Sequence, residues 1–279
     1  MDIKDILKLD QEQKIVAHYT RRETAVNYIL KDKSIRFNPI IYSNDPFEYK
    51  GKINGISAQN LTEEVLQKLR KEINNETDLT TVKAKSFCCS ISNHKDDFKV
   101  KTSSFGNMMM WDRYGENHQG ICLIFSKEEL DTIFYRKVSD YEIIRSKALT
   151  YEDIKNPFVD LKTVKINENK SGKELVFDHY EKYMDDLFFY KDSSWSNENE
   201  YRYLIIDQKE SDIKINFKDA LIGIVVGERF DDLLLPQLYQ FGLPVYQCCV
   251  TNRADEIDWV LLPLYPNNPQ NQPHSCSIY

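Results

Sequence analysis

Residues 188–206 read Phe-Phe-Tyr-Lys-Asp-Ser-Ser-Trp-Ser-Asn-Glu-Asn-Glu-Tyr-Arg-Tyr-Leu-Ile-Ile. They constrain the fold more than any other stretch. The front end has the aromatic character of a helix tail, a polar loop follows, and an alternating run extends from about residue 199 to 206. Alternate residues of a strand share a face. Glu198, Glu200, Arg202 and Leu204 therefore fall on one side, with Tyr201, Tyr203 and Ile205 on the other. Two carboxylates and a guanidinium on one strand face are costly to bury, because a buried carboxylate needs a partner and a neighbouring arginine keeps it ionised. The plain alternative is a solvent-facing strand whose ion pair is worth at most about 1 kcal/mol.

With 279 residues, 41% apolar and 29% charged, the chain has the composition of a soluble globular protein with a sizeable core. A net charge of −7 opposes a broad electrostatic grip on nucleic acid, leaving residues 95–101 as the best local basic stretch. No apolar run approaches the roughly 20 residues that span a bilayer. The opening Met-Asp-Ile-Lys-Asp lacks the pattern of a secretory signal. A cytoplasmic protein with no membrane partner is expected. The six cysteines include the adjacent pairs Cys88-Cys89 and Cys248-Cys249 within apolar runs, which suits buried free thiols rather than a metal knuckle or disulfide framework.

Strand-like and helix-like segments mix without a regular βαβ repeat, so the expected class is α+β, with mixed, mostly antiparallel sheets and flanking helices. One domain over residues 1–265 and a flexible tail over 266–279 are expected. Capping boxes are expected at Thr20–Glu23, Ser126–Glu129 and Ser171–Glu174. The first would open a helix to about residue 31 that buries Ala25, Tyr28 and Ile29. A second helix from Thr62 would bury Val65, Leu66, Leu69 and Ile73. The third box would open a helix reaching about residue 190. Residues 93–104 read as an exposed loop.

Three constellations carry chemistry. His18-Tyr19-Thr20 ends a strand where a helix begins, a place where side chains and free amides can meet a ligand; capping explains Thr20 equally well. Trp111-Asp-Arg-Tyr114-Gly-Glu-Asn-His118 offers flat rings and a titratable imidazole around a turn. Met108, Trp111 and Tyr114 also fit a plain core stripe. The third is the Glu198-x-Glu200 pair with its sequel. No Gly-x-Ser-x-Gly elbow supports a serine hydrolase. Asp45, Glu48, Glu198 and Glu200, with Lys191 near, would be the carboxylates of a metal-dependent nuclease.

Taken in order, His-Tyr-Thr, Arg-Phe then Asn-Asp-Pro-Phe-Glu, Met-Trp-x-x-Tyr with His-x-Gly, and Trp-x-x-Glu-x-Glu-Tyr-Arg resemble a bacterial family catalogued as domain of unknown function 2971. The resemblance runs from about residue 18 to 250. More distantly, the layout is similar to ADP-ribosyltransferases of the His-Tyr-Glu or Glu-x-Glu type, which implies their fold and NAD as the substrate, with no metal. Carried over, Glu200 or Glu198 is the catalytic carboxylate, and His18, Tyr19, Thr20, Trp111, Tyr114, His118 and Arg202 hold the nucleotide. The acceptor would be a nucleic acid or a protein, in a toxin or an anti-phage defence effector. A non-enzymatic sensor of a nucleotide or phage component stays open beside this, as does the nuclease. The transferase reading requires His18 and Glu200 to line one pocket, with residues 111–118 as another wall and 44–48 at the rim.

Overall fold

The computed structural model describes residues 2–48, 53, 55–57, 62–76, 79–91, 100–137, 143–153, 163–167, 169–207, 212–253 and 256–266. Residues 95–99 of the expected basic stretch, 93–99 of the expected loop and all but the first residue of the 266–279 tail lie outside them; at the described end of that loop Ser103 and Ser104 are buried rather than exposed.

In chain order the elements are α1 (Ile3–Gln11), β1 (Ile15–Thr20), α2 (Arg22–Thr24, continued as a π-helix over Ala25–Leu30), β2 (Ser34–Arg36), β3 (Asn38–Pro39) and β4 (Gly55–Ser57). Next come α3 (Glu63–Glu76), β5 (Val82–Cys88), α4 (Met108–Arg113), β6 (Ile121–Ser126), α5 (Lys127–Lys137), β7 (Ile143–Ala148), β8 (Thr150–Glu152) and β9 (Thr163–Lys165). The rest are α6 (Gly172–Lys182), α7 (Met184–Phe188), β10 (Tyr190–Asp192), β11 (Glu200–Ile206), β12 (Lys214–Asn216), β13 (Leu221–Val226), α8 (Leu235–Tyr239), β14 (Val245–Arg253) and β15 (Glu256–Leu264). The protein is α+β.

Among the described residues the main sheet has nine strands in the order β15-β14-β13-β6-β1-β5-β11-β7, with β3 added beside β5. Every pairing in it is antiparallel except β13 with β14. Its centre is irregular in a way that matters. Strands β1 and β5 pair only at Ala17 and Cys88, after which β1 follows β6 through Thr20. Farther along the same edge of β5, β3 takes over at Ala84 and Lys83. Between these two contacts the edge of Lys85, Ser86 and Phe87 has no strand beside it among the described residues, and a cleft opens there.

Both sheet faces are covered. Val16, Phe87, Phe125, Tyr203 and Ile205 pack on one with Phe134 of α5. On the other, Leu204 and Ile206 meet α3, α6 and α7 through Leu69, Ile73, Val176, Tyr180 and Phe188. Beside that cluster, Ile15, Ala17, Tyr19 and Cys88 pack with Ile6 of α1, Trp111 and Trp259. All five cysteines among the described residues are buried and free.

Several local expectations are corrected. Helix α1 is additional, opened by a reciprocal capping box between Asp2 and Asp5. The Thr20 box does not form: Thr20 completes β1, and the residue before α2 is Arg21, which makes no side-chain cap. A π-turn is wider than an α-turn, so Leu30 joins Ala25 and Ile29 inside while Tyr28 is 60% exposed. In α3, Leu69 and Ile73 are buried but Val65 is not. The Ser171 box forms as expected, yet its helix breaks at Tyr183 (φ −113°, ψ 23°) and α7 restarts after it.

After α4 the backbone turns left-handed at Glu116, Asn117 and His118 (φ 54°, 52° and 66°). Gly227, following β13, closes against this turn: a β-carbon there would lie 2.2 Å from the His118 carbonyl oxygen. The neighbour is backbone and cannot swing aside. Gly227→Ala is therefore expected to cost about 1–3 kcal/mol, read as a lower denaturant midpoint with an unchanged slope.

Candidate functional site: a carboxylate cluster at the split in the sheet

Strand β11 presents Glu200, Arg202, Leu204 and Ile206 in turn on one face. Its second half enters the core against α6 and α7. Its first half faces the opening beside β5, so Glu200 and Arg202 line the cleft. Glu198 reaches the same place by another route. It ends the 3-10 turn Ser193–Glu198, and Asn199 then adopts a left-handed conformation (φ 42°, ψ 53°). The Asn199 amide fixes that turn by donating to the carbonyl oxygens of Cys89 and Ser90 at 2.8 and 2.6 Å.

Glu198, Glu200 and Arg202 are buried, at 5%, 4% and 2% exposure, which removes the solvent-facing alternative. Arg202 donates through Nε to Glu200 Oε1 at 2.6 Å, through Nη1 to the Phe188 carbonyl at 2.7 Å, and through Nη2 to Glu48. Lys191, on β10, lies 2.7 Å from Glu198 Oε2, 3.4 Å from Glu200 Oε2 and 3.9 Å from Glu48 Oε2. Ser86 donates to Glu200 and Ser43 to Glu48. The phenol of Tyr114 donates to Glu198 Oε1 at 2.7 Å. Three carboxylates thus meet two cations, so the cluster carries one excess negative charge.

Burial alone would raise the Glu200 carboxyl, but the charges of Arg202 and Lys191 outweigh it and hold the group well below the usual carboxylate range. The same balance acts on Lys191: burial pulls its ammonium down, and Glu200, Glu48 and Glu198 push it above the ordinary lysine value. Burial, reinforced by the Glu198 charge, lifts the Tyr114 phenol to about 12. His18 shifts the other way, its imidazole pushed well down by burial and by the nearby Lys85 charge. It is neutral at pH 7. Its Nδ1 lies 3.2 Å from the Ser86 carbonyl, which can only accept, so Nδ1 carries the proton and Nε2 is the acceptor.

The cleft holds about 240 Å³ and is lined by His18, Tyr114, Glu48, Glu198, Glu200 and Arg202 with Lys191, the open edge of β5 and residues 38–44. His18 and Glu200 therefore do meet, and the 44–48 segment forms part of the wall through Asn44 and Glu48. Three expected ligand residues do not take part. Thr20 is buried at the end of β1, paired with Ile121. Trp111 is fully buried in the core, its indole N–H donating to the Phe105 carbonyl at 2.9 Å. Residues four apart share a helix face, so α4 turns Met110 and Tyr114 toward the cleft and Trp111 away. His118 stacks between Trp111 and Trp259, at 6.4 and 5.9 Å between ring centroids. Tyr19 lines the cleft, but its hydroxyl is committed: it donates to the Ser104 carbonyl and accepts from the amide of Asn107, which caps α4. It positions the helix carrying Tyr114.

Glu48 and Lys191 complete the cluster; the sequence suggested both as parts of a nuclease, and Glu48 otherwise only as part of the rim at 44–48. The 3-10 turn Pro46–Glu48 folds Glu48 inward, a direction that Asp-Pro marks as a bend without specifying its target. Among the described residues no group of three or more His, Cys, Asp or Glu is arranged to hold a metal ion. The cations Lys191 and Arg202 occupy the carboxylate oxygens instead.

Removing Arg202 would leave Glu48 and Glu200 buried with too little positive charge. Arg202→Ala is expected to cost about 3–5 kcal/mol. A depressed carboxylate stabilises the fold at pH above its unfolded value, near 4.5, and that contribution is lost as the pH falls through its folded value. Denaturation series at pH 6, 4 and 3 are expected to show wild type losing stability below about pH 4.5, with a shallower loss in Glu200→Gln.

Comparison with known proteins adds one match. No curated protein and no solved structure matches the chain. The matched residues, 110–203, contain Tyr114, Lys191, Glu198, Glu200 and Arg202, while His18 and Glu48 lie outside them. Over this segment, which builds most of the carboxylate cluster, the chain is similar to a family described as a protein of unknown function, DUF2971.

Proposed function

We propose that the cleft binds a ribonucleotide of the NAD type and that the carboxylate cluster promotes cleavage of its nicotinamide–ribose bond, an ADP-ribosyltransferase-like activity on an ADP-ribosyltransferase-like fold. The observation that carries this reading is the meeting of His18 and Glu200 in one cleft, from positions 182 residues apart, with Tyr114 on the adjoining wall.

The chemistry follows from the charge. When the C1′–N bond breaks, its electron pair leaves with nicotinamide, which departs neutral, and the ribose becomes oxocarbenium-like. A nucleophile on a protein or nucleic-acid acceptor then bonds to C1′ and gives up its proton. A rigid, desolvated carboxylate cluster favours that cation over the ground state. Glu200 is held ionised and aimed by Ser86, Arg202 and Lys191, so it faces the ribose. Glu198, fixed by Lys191 and Tyr114, positions the ribose hydroxyls or the acceptor. The Nε2 of His18 accepts a hydrogen bond from the other ribose.

A second reading rests on a specific observation. Both Glu200 oxygens already have internal donors, as suits a sensor that binds a nucleotide without turning it over. The nuclease reading would need these same oxygens free for a metal.

The test is to incubate purified protein with NAD and measure free nicotinamide and labelled acceptor. Wild type is expected to release nicotinamide, and Glu200→Gln to lose at least about a hundredfold of that rate, the scale of one preorganised electrostatic contact. Thermal protection by NAD with no nicotinamide released would favour the sensor. Full activity in both Glu200→Gln and Glu198→Gln would remove the cluster from catalysis.

A further inference from the structure

The cleft contains three cationic side chains, and they are treated unequally. Arg202 faces two carboxylates and Lys191 three. Lys85, on the open edge of β5, lines the same cleft half-buried, yet among the described residues its ammonium has no ion pair or hydrogen bond. Register places it opposite Tyr203, and so on the face of the sheet that carries Phe87. His18, one step beyond the Ala17–Cys88 pair, shares that face and packs its ring 5.6 Å from Phe87.

A partly desolvated ammonium without a counter-charge is a standing cost, and lysine is rarely kept buried unless paired. Methionine would fill the same space without that cost. A cleft that holds such a group beside a hydroxyl-accepting histidine matches a ligand with an anion next to a sugar. Lysine serves as a point-charge partner for phosphate.

We infer that Lys85 is the phosphate-binding group of this cleft and that its ligand is a phosphorylated ribose compound rather than a free nucleoside. This deepens the nucleotide reading and rests on it for the identity of the sugar. Burial pushes the Lys85 ammonium down to about 8, which leaves it charged at neutral pH. The arrangement divides the ligand: its phosphate and one ribose lie on the Lys85–His18 face of the split sheet, and the bond to be broken lies toward Glu200 on the other.

The experiment is calorimetric and thermal-shift titration of the full chain at pH 7 with NAD, ADP-ribose, inorganic pyrophosphate and nicotinamide riboside, which lacks a second ribose and any phosphate. Wild type, Lys85→Met and Lys85→Arg are compared. Wild type is expected to bind NAD and ADP-ribose at least about tenfold more tightly than nicotinamide riboside, the scale of one charge-assisted hydrogen bond. Lys85→Met is expected to abolish that preference while its unliganded melting temperature stays equal or rises, and Lys85→Arg to keep part of the preference. Wild type showing no preference, wild type binding none of the four, or Lys85→Met keeping the preference would each overturn the inference. Nicotinamide release separates the two proposals. A Lys85-dependent preference without release sustains this inference and sinks the transferase. Release by Lys85→Met with the wild-type KM for NAD does the reverse.

Discussion

Arg202 cannot shed its charge inside a sheet, and each of its three nitrogens must find an acceptor there. It finds Glu200 on its own strand, Glu48 from a turn 154 positions earlier, and the last backbone carbonyl of α7 at Phe188. Those three bonds tie the segment beside β3, the end of α7 and the start of β11 to one point. Lys191 extends the tie to Glu198, and Glu198 in turn accepts from Tyr114 of the α4 region. The turn at Glu48, the end of α4 at Tyr114 and the continuous stretch from Phe188 to Arg202 are thereby fixed around one charged knot. Well-packed apolar residues would stabilise such a place as well or better. Retaining two cations and three carboxylates at the mouth of a cleft therefore has its explanation in geometry rather than in stability.

The knot matters because the sheet is not continuous beside it. One pairing at Ala17 and Cys88 holds β1 to β5, and β3 restores a neighbour only at Ala84. The backbone edge between them would be a liability if left bare. His18 donates to the Ser86 carbonyl in the gap, and the Ser86 hydroxyl donates to Glu200. Groups from opposite faces of the sheet are thus brought to one opening. Rigid strands carry most of them, and a reactive group needs that support, because orientation has to be held to a fraction of an ångström.

Much of this is legible in the residues. The alternation Glu200-x-Arg202-x-Leu204-x-Ile206 defines one strand face and implies that the charges on it need partners. The adjacent cysteines imply buried thiols, and Ser171 with Glu174 implies the start of α6. Rings are less well specified. Trp111 and Tyr114 look equivalent at three-residue spacing, yet one closes the core and the other meets Glu198, because three residues leave the two rings about 60° apart around α4 and packing sets which of them faces inward. His118 has the composition of a ligand-binding residue, but the left-handed turn at 116–118 delivers it between two tryptophans. Thr20 satisfies a capping pattern, although extending β1 against β6 satisfies its backbone better.

The sequence by itself determined the α+β class and the strand face shared by Glu200 and Arg202, because period and charge are local properties of the chain, while the burial of that face was settled by tertiary packing. Only the tertiary structure decided that Glu48 and Lys191 complete the cluster and that the sheet splits between β1 and β5. Among the described residues it also left Lys85 as the cleft cation without a carboxylate partner. Those outcomes depend on which strand lies beside which and on where a turn stops, and such long-range pairing energies leave no periodic mark on the residues that make them.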